Sequence, residues 1–252
     1  LGSIFTKECS GGTGSPGCSK MIKHYYWPTP NGHKTAIMLE EVELEYEVCI
    51  VNILDGDQFD PAFIAISPNN RIPAIVDTDG PQGEPYTVFE SGAILMYLAE
   101  KTGKLWPQDS VERYDVIQWL MFQMGNVGPM FGQNGYFQGY CPEDVPLAKE
   151  RYHNVCKQLY GVMDRRLGES EYLAGSNYSI ADVATFPWTM PKQQEMHRID
   201  ITQYPNVKRW SETVAMQPAV QRGIAVMAED MKVGNPTQET YNNMFGAKQF
   251  KQ

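Results

Sequence analysis

The sequence predicts an α/β domain followed by an all-helical domain, and three observations carry that reading. Short strand-like and helical segments alternate from Met21 to about Lys101. Beyond Gly103 the strand signals fade and the apolar spacing becomes helical, as in the stripe Tyr152, Cys156, Leu159, Met163 and Leu167. Between the two regimes stands Leu105-Trp106-Pro107, which reads as a linker. The expected organisation is an extension over residues 1–20, an α/β domain over 21–102, a linker over 103–111, a helical domain over 112–229 and a polar tail over 230–252.

Each element has its own signal. Ile22 to Tyr26 reads as a strand, and Asn31 to Val42 as a helix with apolar residues at Ala36, Ile37, Leu39 and Val42. Glu47 to Asn52 is apolar on both faces around Val48 to Val51, the pattern of a buried strand. Pro61 to Ile66 is a short helix. Arg71-Ile72-Pro73 is a loop leading into the apolar strand Ala74-Ile75-Val76-Asp77. Asp79 to Pro85 is a turn, Thr87 to Phe89 a strand, and Glu90-Ser91 opens a helix through Ile94, Leu95, Tyr97 and Leu98. In the second half, Val111 to Gly125 and Leu147 to Leu167 read as helices. Ser179-Ile180-Ala181-Asp182 is a capping box, and Tyr204-Pro205-Asn206 opens a helix reaching about Ala215.

Composition narrows the function classes. The chain has 252 residues, 42% of them hydrophobic, which suits a globular protein with ample core. A net charge of −9 argues against nucleic acid as a partner. No apolar run approaches the ~18 residues of a membrane helix. Five cysteines at irregular spacings suggest neither a disulfide framework nor a zinc site, and the four histidines show no ligand spacing, so no metal is expected. A reducing, cytoplasmic compartment follows. Residues 1–20 are rich in Gly, Ser and Thr and lack the apolar stretch of a secretory signal.

The turn Trp27-Pro28-Thr29-Pro30-Asn31-Gly32 joins the first strand to the first helix. Thioredoxin-type folds carry a reactive Cys-x-x-Cys there, but this chain has a hydroxyl at Thr29 and an amide at Asn31. Either group can hydrogen-bond a thiolate and neither can be one. Helix capping explains both residues equally well without any ligand. The magnitudes nevertheless allow chemistry. Lowering a thiol pKa of ~8.5 by about two units requires ~2.7 kcal/mol. Hydrogen bonds to a charged acceptor supply ~1.5–3 kcal/mol each, and a helix N-terminus ~0.3–1 kcal/mol more.

The words Thr29-Pro30-Asn31-Gly32-His33-Lys34, Gly56-Asp57-Gln58-Phe59, Ser67-Pro68-Asn69-Asn70-Arg71-Ile72-Pro73-Ala74, Phe89-Glu90-Ser91-Gly92-Ala93-Ile94-Leu95 and Tyr178-Ser179-Ile180-Ala181-Asp182 together resemble the glutathione transferase superfamily. More narrowly they resemble its Nu class, the bacterial glutathione-dependent disulfide-bond oxidoreductases, and their fungal nitrogen-regulator relatives. The resemblance runs from about Met21 to about Ile224. It implies an α/β thioredoxin-like N-terminal domain plus an all-α C-terminal domain, the glutathione transferase fold. It also implies glutathione as cosubstrate, a homodimer, and a small disulfide or electrophile as second substrate.

Residue by residue, the resemblance assigns Thr29 and Asn31 to the sulfur. A cis Ile72-Pro73 bond would turn the Ile72 backbone toward the cysteinyl amide of glutathione. Ser91 would take the γ-glutamyl carboxylate at a helix N-terminus, and Glu90 its ammonium. Gln58 and Arg71 would reach the other end, with Arg71 near the glycyl carboxylate. Arg151 aligns with a residue that reaches glutathione from the partner subunit. Without a ligand, Ser91 is a helix cap, Gln58 and Arg71 are solvated loop side chains, and Arg151 is a helix-surface charge. The Gly-aromatic stretch Met130 to Tyr140 reads as a segment between helices. Its Phe131, Asn134, Tyr136 and Phe137 either line a second-substrate pocket, with Trp27 opposite, or fill the core. The activity expected is disulfide reduction through the thiolate of bound glutathione. The alternatives are conjugation of glutathione to an electrophile, ether cleavage, and a non-catalytic regulatory role.

Overall fold

The computed structural model describes residues 20–228 and 237–250, apart from the side chain of Phe250. The expectations for residues 1–19, with Cys9 and Cys18, and for the stretch 229–236 lie outside the described residues.

The N-terminal part runs β1 (Ile22–Tyr26), α1 (Pro30–Val42), β2 (Tyr46–Ile50), α2 (Pro61–Ile64), β3 (Ala74–Asp77), β4 (Tyr86–Phe89) and α3 (Ser91–Thr102). The four strands form one mixed sheet in the order β2-β1-β3-β4, with β1 parallel to β2 and the other pairs antiparallel. Alternation along β1 separates two cores. Ile22, His24 and Tyr26 are buried, while Tyr25 packs with Phe63 of α2 in a small cluster with Val51 and Ala74. The main core holds Ile37, Met38 and Leu39 of α1 with Ile94, Leu95 and Leu98 of α3, and continues without a break into the helical part.

β2 departs from expectation. Its apolar run predicts a strand buried on both faces, yet it is the edge strand, and Ile50 is exposed. Cys49 is accordingly half-buried.

The helical part comprises α4 (Ser110–Phe122), α5 (Gly128–Gly135), α6 (Pro146–Glu169), α7 (Ile180–Thr185), α8 (Pro191–His197), α9 (Pro205–Ala215) and α10 (Pro218–Ala225). Two π-helical turns, Gln123–Val127 and Tyr136–Tyr140, make residues 110–140 one nearly continuous helix. The stretch Met130 to Tyr140 is therefore helical rather than a link between helices. Its glycines lower helix propensity and disguise it, but they allow close packing: Gly135 lies under Met196 and His197. The capping box forms as expected. Ser179 Oγ accepts from the Ala181 N–H, and Asp182 Oδ2 accepts from the Ser179 N–H at 3.0 Å. Asp182 Oδ1 also accepts from Leu173 N–H and Trp210 Nε1–H, so this buried carboxylate ties α7 to α9.

α10 lies directly on α1. A Cβ at Gly223 would stand 2.6 Å from Ile37 Cα, so the helical part grips the helix that opens at the Thr29 turn.

The polar tail contains a helix that its sequence does not advertise, α11 (Gln238–Phe245). Thr237 Oγ1 caps it by accepting from Thr240 N–H. One face carries Tyr241 and Phe245, which pack with Tyr136 and Tyr140. Asn243 is buried and donates to Leu54 O at 2.9 Å, fastening the tail to the loop after β2.

Candidate active site

The β1–α1 turn is fixed by three local interactions. Thr29 N–H donates to Trp27 O at 2.7 Å, and the Thr29 Oγ accepts from Gly32 N–H at 3.2 Å as the N-cap of α1. Helix α1 therefore starts at Pro30, one residue before the expected Asn31. Gly32 is required there, because a Cβ would lie 2.1 Å from Trp27 O. With one lone pair of Thr29 Oγ committed to Gly32, its hydroxyl proton is free to be donated. Pro30 has no N–H, and the first-turn N–H of Asn31 has no intrahelical acceptor. The Asn31 side chain is half-buried and lines the cleft in front of the turn.

That cleft has two parts, which share Asn31, Arg71, Ile72 and Trp188. The larger, about 400 Å³, runs between the N-terminal and helical parts past Glu90, Ser91 and Lys34 to Met124, Pro129 and Gln133. The smaller, about 220 Å³, lies over Thr29 and Gln58 and is closed by Met244, Phe245 and Gln249 of the tail. A cavity of about 500 Å³ elsewhere, lined by Trp106, Arg166 and Tyr178, contains none of the residues singled out in the sequence.

Ile72-Pro73 is cis, as the resemblance implied, and Ile72 lines both parts of the cleft. The loop before it is held by Ser67, whose buried Oγ donates to Arg71 O at 2.8 Å. Arg71 is exposed at the cleft rim. Glu90 precedes α3 with φ 69 and ψ 118, a backbone conformation that costs a non-glycine residue ~1–3 kcal/mol. Such strain is concentrated at functional sites. Ser91 is buried at the first position of α3.

Gln58 is not the solvated loop side chain that one reading allowed. It is buried, and its Nε2 donates to Asn243 O at 2.9 Å, while Oε1 has no partner. Arg151 lies exposed on α6.

The second-substrate wall is corrected. Phe131 has no exposed surface and stacks on Tyr160 in the helical core, with ring centroids 5.3 Å apart. Asn134 is equally buried and donates to His197 O at 3.1 Å. The helix through this segment turns both side chains inward and presents Gly128, Pro129, Gly132 and Gln133 to the cleft instead. Tyr136 and Phe137 are half-buried against Tyr241 and Tyr152, outside the cleft lining. Trp27 is half-buried and outside the lining of both parts.

Several side chains absent from the sequence-based set line the cleft, among them Trp188 and Lys34. Trp188 is buried and touches both parts, its indole N–H unpartnered. Its signal was an aromatic residue three positions beyond the end of α7. Lys34 was within a quoted word but is invisible as a site residue, because a lysine four residues into a helix reads as solvated.

Among the described residues, the tyrosines and cysteines supply no rival nucleophile in the cleft. Tyr26 is buried, its hydroxyl is bonded to His33 Nδ1 and Val226 O, and burial raises its pKa well above the usual phenol value. Cys156 is buried, with its thiol pushed up to about 12 by desolvation. None of Cys49, Cys141 and Cys156 lines either part of the cleft. Among the described residues no group of three or more His, Cys, Asp or Glu could hold a metal ion. Nor is any helix among them long and apolar enough to cross a membrane.

Comparison with known proteins agrees with this geometry. The N-terminal domain of glutathione S-transferase matches residues 20–100, and its C-terminal domain matches residues 138–218. The chain is 48% identical over 207 residues to disulfide-bond oxidoreductase YfcG of Escherichia coli K12, covering 81% of this chain and 94% of the relative. It is 38% identical over 214 residues to disulfide-bond oxidoreductase YghU of the same strain, covering 80% and 73%. Among solved structures, a glutathione transferase family member from Pseudomonas fluorescens with two glutathione bound superimposes with a TM-score of 0.76, at 48% identity over 81% of this chain and 92% of that one. A glutathione transferase from Pseudomonas putida, with one glutathione disulfide per subunit, gives 0.79 at 44% identity over 82% and 92%.

Proposed function

This chain belongs to the glutathione S-transferase family, and from that premise we propose that it reduces disulfides with glutathione. The observation that carries the reading is the β1–α1 turn. A free hydroxyl proton at Thr29 and the Asn31 carboxamide stand over a cleft that no cysteine among the described residues lines. The attacking sulfur then comes with the ligand.

In this mechanism the γ-glutamyl carboxylate sits at the N-terminus of α3 on Ser91, and Glu90 pairs with the ammonium. The Ile72 backbone holds the cysteinyl amide, and Arg71 reaches the glycyl carboxylate. Gln58 offers its unpartnered Oε1 as an acceptor for the glycyl N–H at that same end. Thr29 and Asn31 donate to the sulfur and stabilise its thiolate. That thiolate attacks one sulfur of the substrate disulfide. A mixed disulfide forms, and the leaving thiolate takes up a proton. A second glutathione thiolate then attacks the glutathione sulfur of the mixed disulfide, giving glutathione disulfide and the second substrate thiol. The two electrons come from two glutathione molecules. Trp188, Met244 and Phe245 offer an apolar wall for the second molecule.

The protein acts as a homodimer in this reading. Val111 (70% exposed), Tyr114 (65%) and Met121 fall on one face of α4, and Tyr86 and Phe89 of β4 are also exposed. Arg151 enters the partner's cleft in such a dimer. Cys141 and Cys156, which form no disulfide, suit a reducing cytoplasm.

The test compares a small disulfide with an aryl halide, each offered with glutathione. Disulfide turnover is expected to exceed conjugation by tenfold or more in kcat/KM. Conjugation faster than disulfide reduction would replace this activity with electrophile transfer on the same thiolate, and activity on neither would leave a regulatory protein.

A further inference from the structure

Lys34, the fifth residue of α1, has only 1% of its surface exposed. Its Nζ donates to Gln123 Oε1 at 2.7 Å, to Ser91 Oγ at 3.3 Å and toward Met124 Sδ at 3.6 Å. An ammonium has three N–H donors, and here all three meet neutral acceptors. No carboxylate is bonded to it. A buried cation without an anion is costly, and the ordinary outcome is loss of its proton.

The neighbours make this more than a core lysine. Ser91 is the first residue of α3, its hydroxyl oxygen receives the Lys34 amine, and its proton is directed at Met124 Sδ at 3.7 Å, a weak acceptor that a carboxylate would displace. Gln123 lies at the start of a π-helical turn, a feature often found at functional sites. Its side chain is fully buried, and its Nε2 has no partner. All three residues line the larger part of the cleft.

We propose that Lys34 is a positioning residue that acts through Ser91, taking up a proton when the carboxylate of the γ-glutamyl group arrives and so coupling cosubstrate binding to the Gln123 turn of the helical part. The inference rests on the glutathione reading above. A carboxylate accepting the Ser91 hydroxyl would place negative charge two hydrogen bonds from Nζ. That charge favours the ammonium and offsets its burial.

The other groups around Lys34 leave it free to respond. Burial pushes the amine down to about 7, and the Glu90 carboxylate opposes that shift. The 110–140 helix contributes Gln123 and Met124, neither of which titrates. Asp182 on α7, which also packs on α1, is occupied by Ser179, Leu173 and Trp210. His33, the neighbour on α1, bonds to Tyr26 instead. The sign follows directly. The free protein holds Lys34 largely neutral above about pH 7, and the ligand raises its proton affinity. Binding therefore takes up a proton above neutrality and weakens as the pH rises.

The test is calorimetric titration with S-methylglutathione, whose blocked sulfur has no proton to lose, in buffers of different ionisation enthalpy at pH 7.5 to 8.5. Wild-type protein is expected to take up about half a proton or more per ligand, with affinity falling by up to about tenfold per pH unit. Lys34→Met removes that uptake and flattens the affinity against pH. Any uptake remaining in it belongs to the ligand ammonium. Should Lys34→Met fail to fold, Gln123→Glu serves instead, because a carboxylate beside Nζ charges the amine before ligand arrives, and uptake vanishes. Binding by the wild type without proton uptake overturns this proposal alone, as does uptake unchanged in either variant. Failure of the wild type to bind S-methylglutathione overturns the glutathione reading and this proposal with it.

Discussion

At Thr29 one hydroxyl serves two neighbours, since its oxygen caps α1 and its proton remains available to a sulfur. Capping and thiolate binding are therefore compatible at this residue. Thr29→Ala should cost the helix ~0.5–2 kcal/mol. It should also raise the pKa of bound glutathione by about a unit, the worth of one charge-assisted hydrogen bond. Asn31→Ala should raise it similarly without the capping loss, and the double variant less than additively, because both groups address one sulfur. Ultraviolet titration of the thiolate in the enzyme–glutathione complex reads this directly. A pKa unchanged in both variants would remove them from the mechanism. The resemblance assigned Arg71, Ile72, Glu90 and Ser91 to the site, whereas Asn31 was legible from the local signal of the turn itself. Phe131 and Asn134 were misplaced because which face of a helix meets a cleft depends on partners such as Tyr160 and His197, tens of residues away. Phe131→Ala should accordingly destabilise by ~3–5 kcal/mol in urea unfolding. It should leave the KM for glutathione near wild type.

Among the elements, α11 shows what composition hides. The tail reads as polar, yet Asn243 is buried and bonds Leu54 while its carbonyl accepts from Gln58. Asn243→Ala should release the loop before Gln58. Hydrogen exchange should rise across residues 52–58 while the sheet and α1 stay protected, and equal exchange in variant and wild type would contradict the docking. The α7 capping box was readable from four residues, but its further bond to Trp210 was not, since α9 is distant in sequence. Asp182→Asn would replace one of two acceptor oxygens, each facing N–H donors, with an NH2 donor. Its expected cost is ~1–3 kcal/mol by chemical denaturation. A loss below about 1 kcal/mol would mean that the carboxylate is not holding α7 to α9.

For the whole molecule, the order of strands and helices was legible because each period is local, whereas the edge position of β2 and the closure of the cleft by the tail are properties of assembly. The arrangement separates labour. The N-terminal part presents the β1–α1 turn and the α3 N-terminus, the helical part supplies Gln123, Met124 and Trp188, and the sulfur arrives with glutathione. The most direct test of that claim is disulfide reduction by a variant in which Cys9, Cys18, Cys49, Cys141 and Cys156 are all replaced by Ser or Ala, measured per folded molecule because Cys156 fills core space. Turnover within about twofold of wild type is the predicted result, the difference being no larger than a modest packing change produces. Loss of disulfide reduction in a well-folded variant that still binds glutathione would contradict it and place the reactive sulfur on the protein.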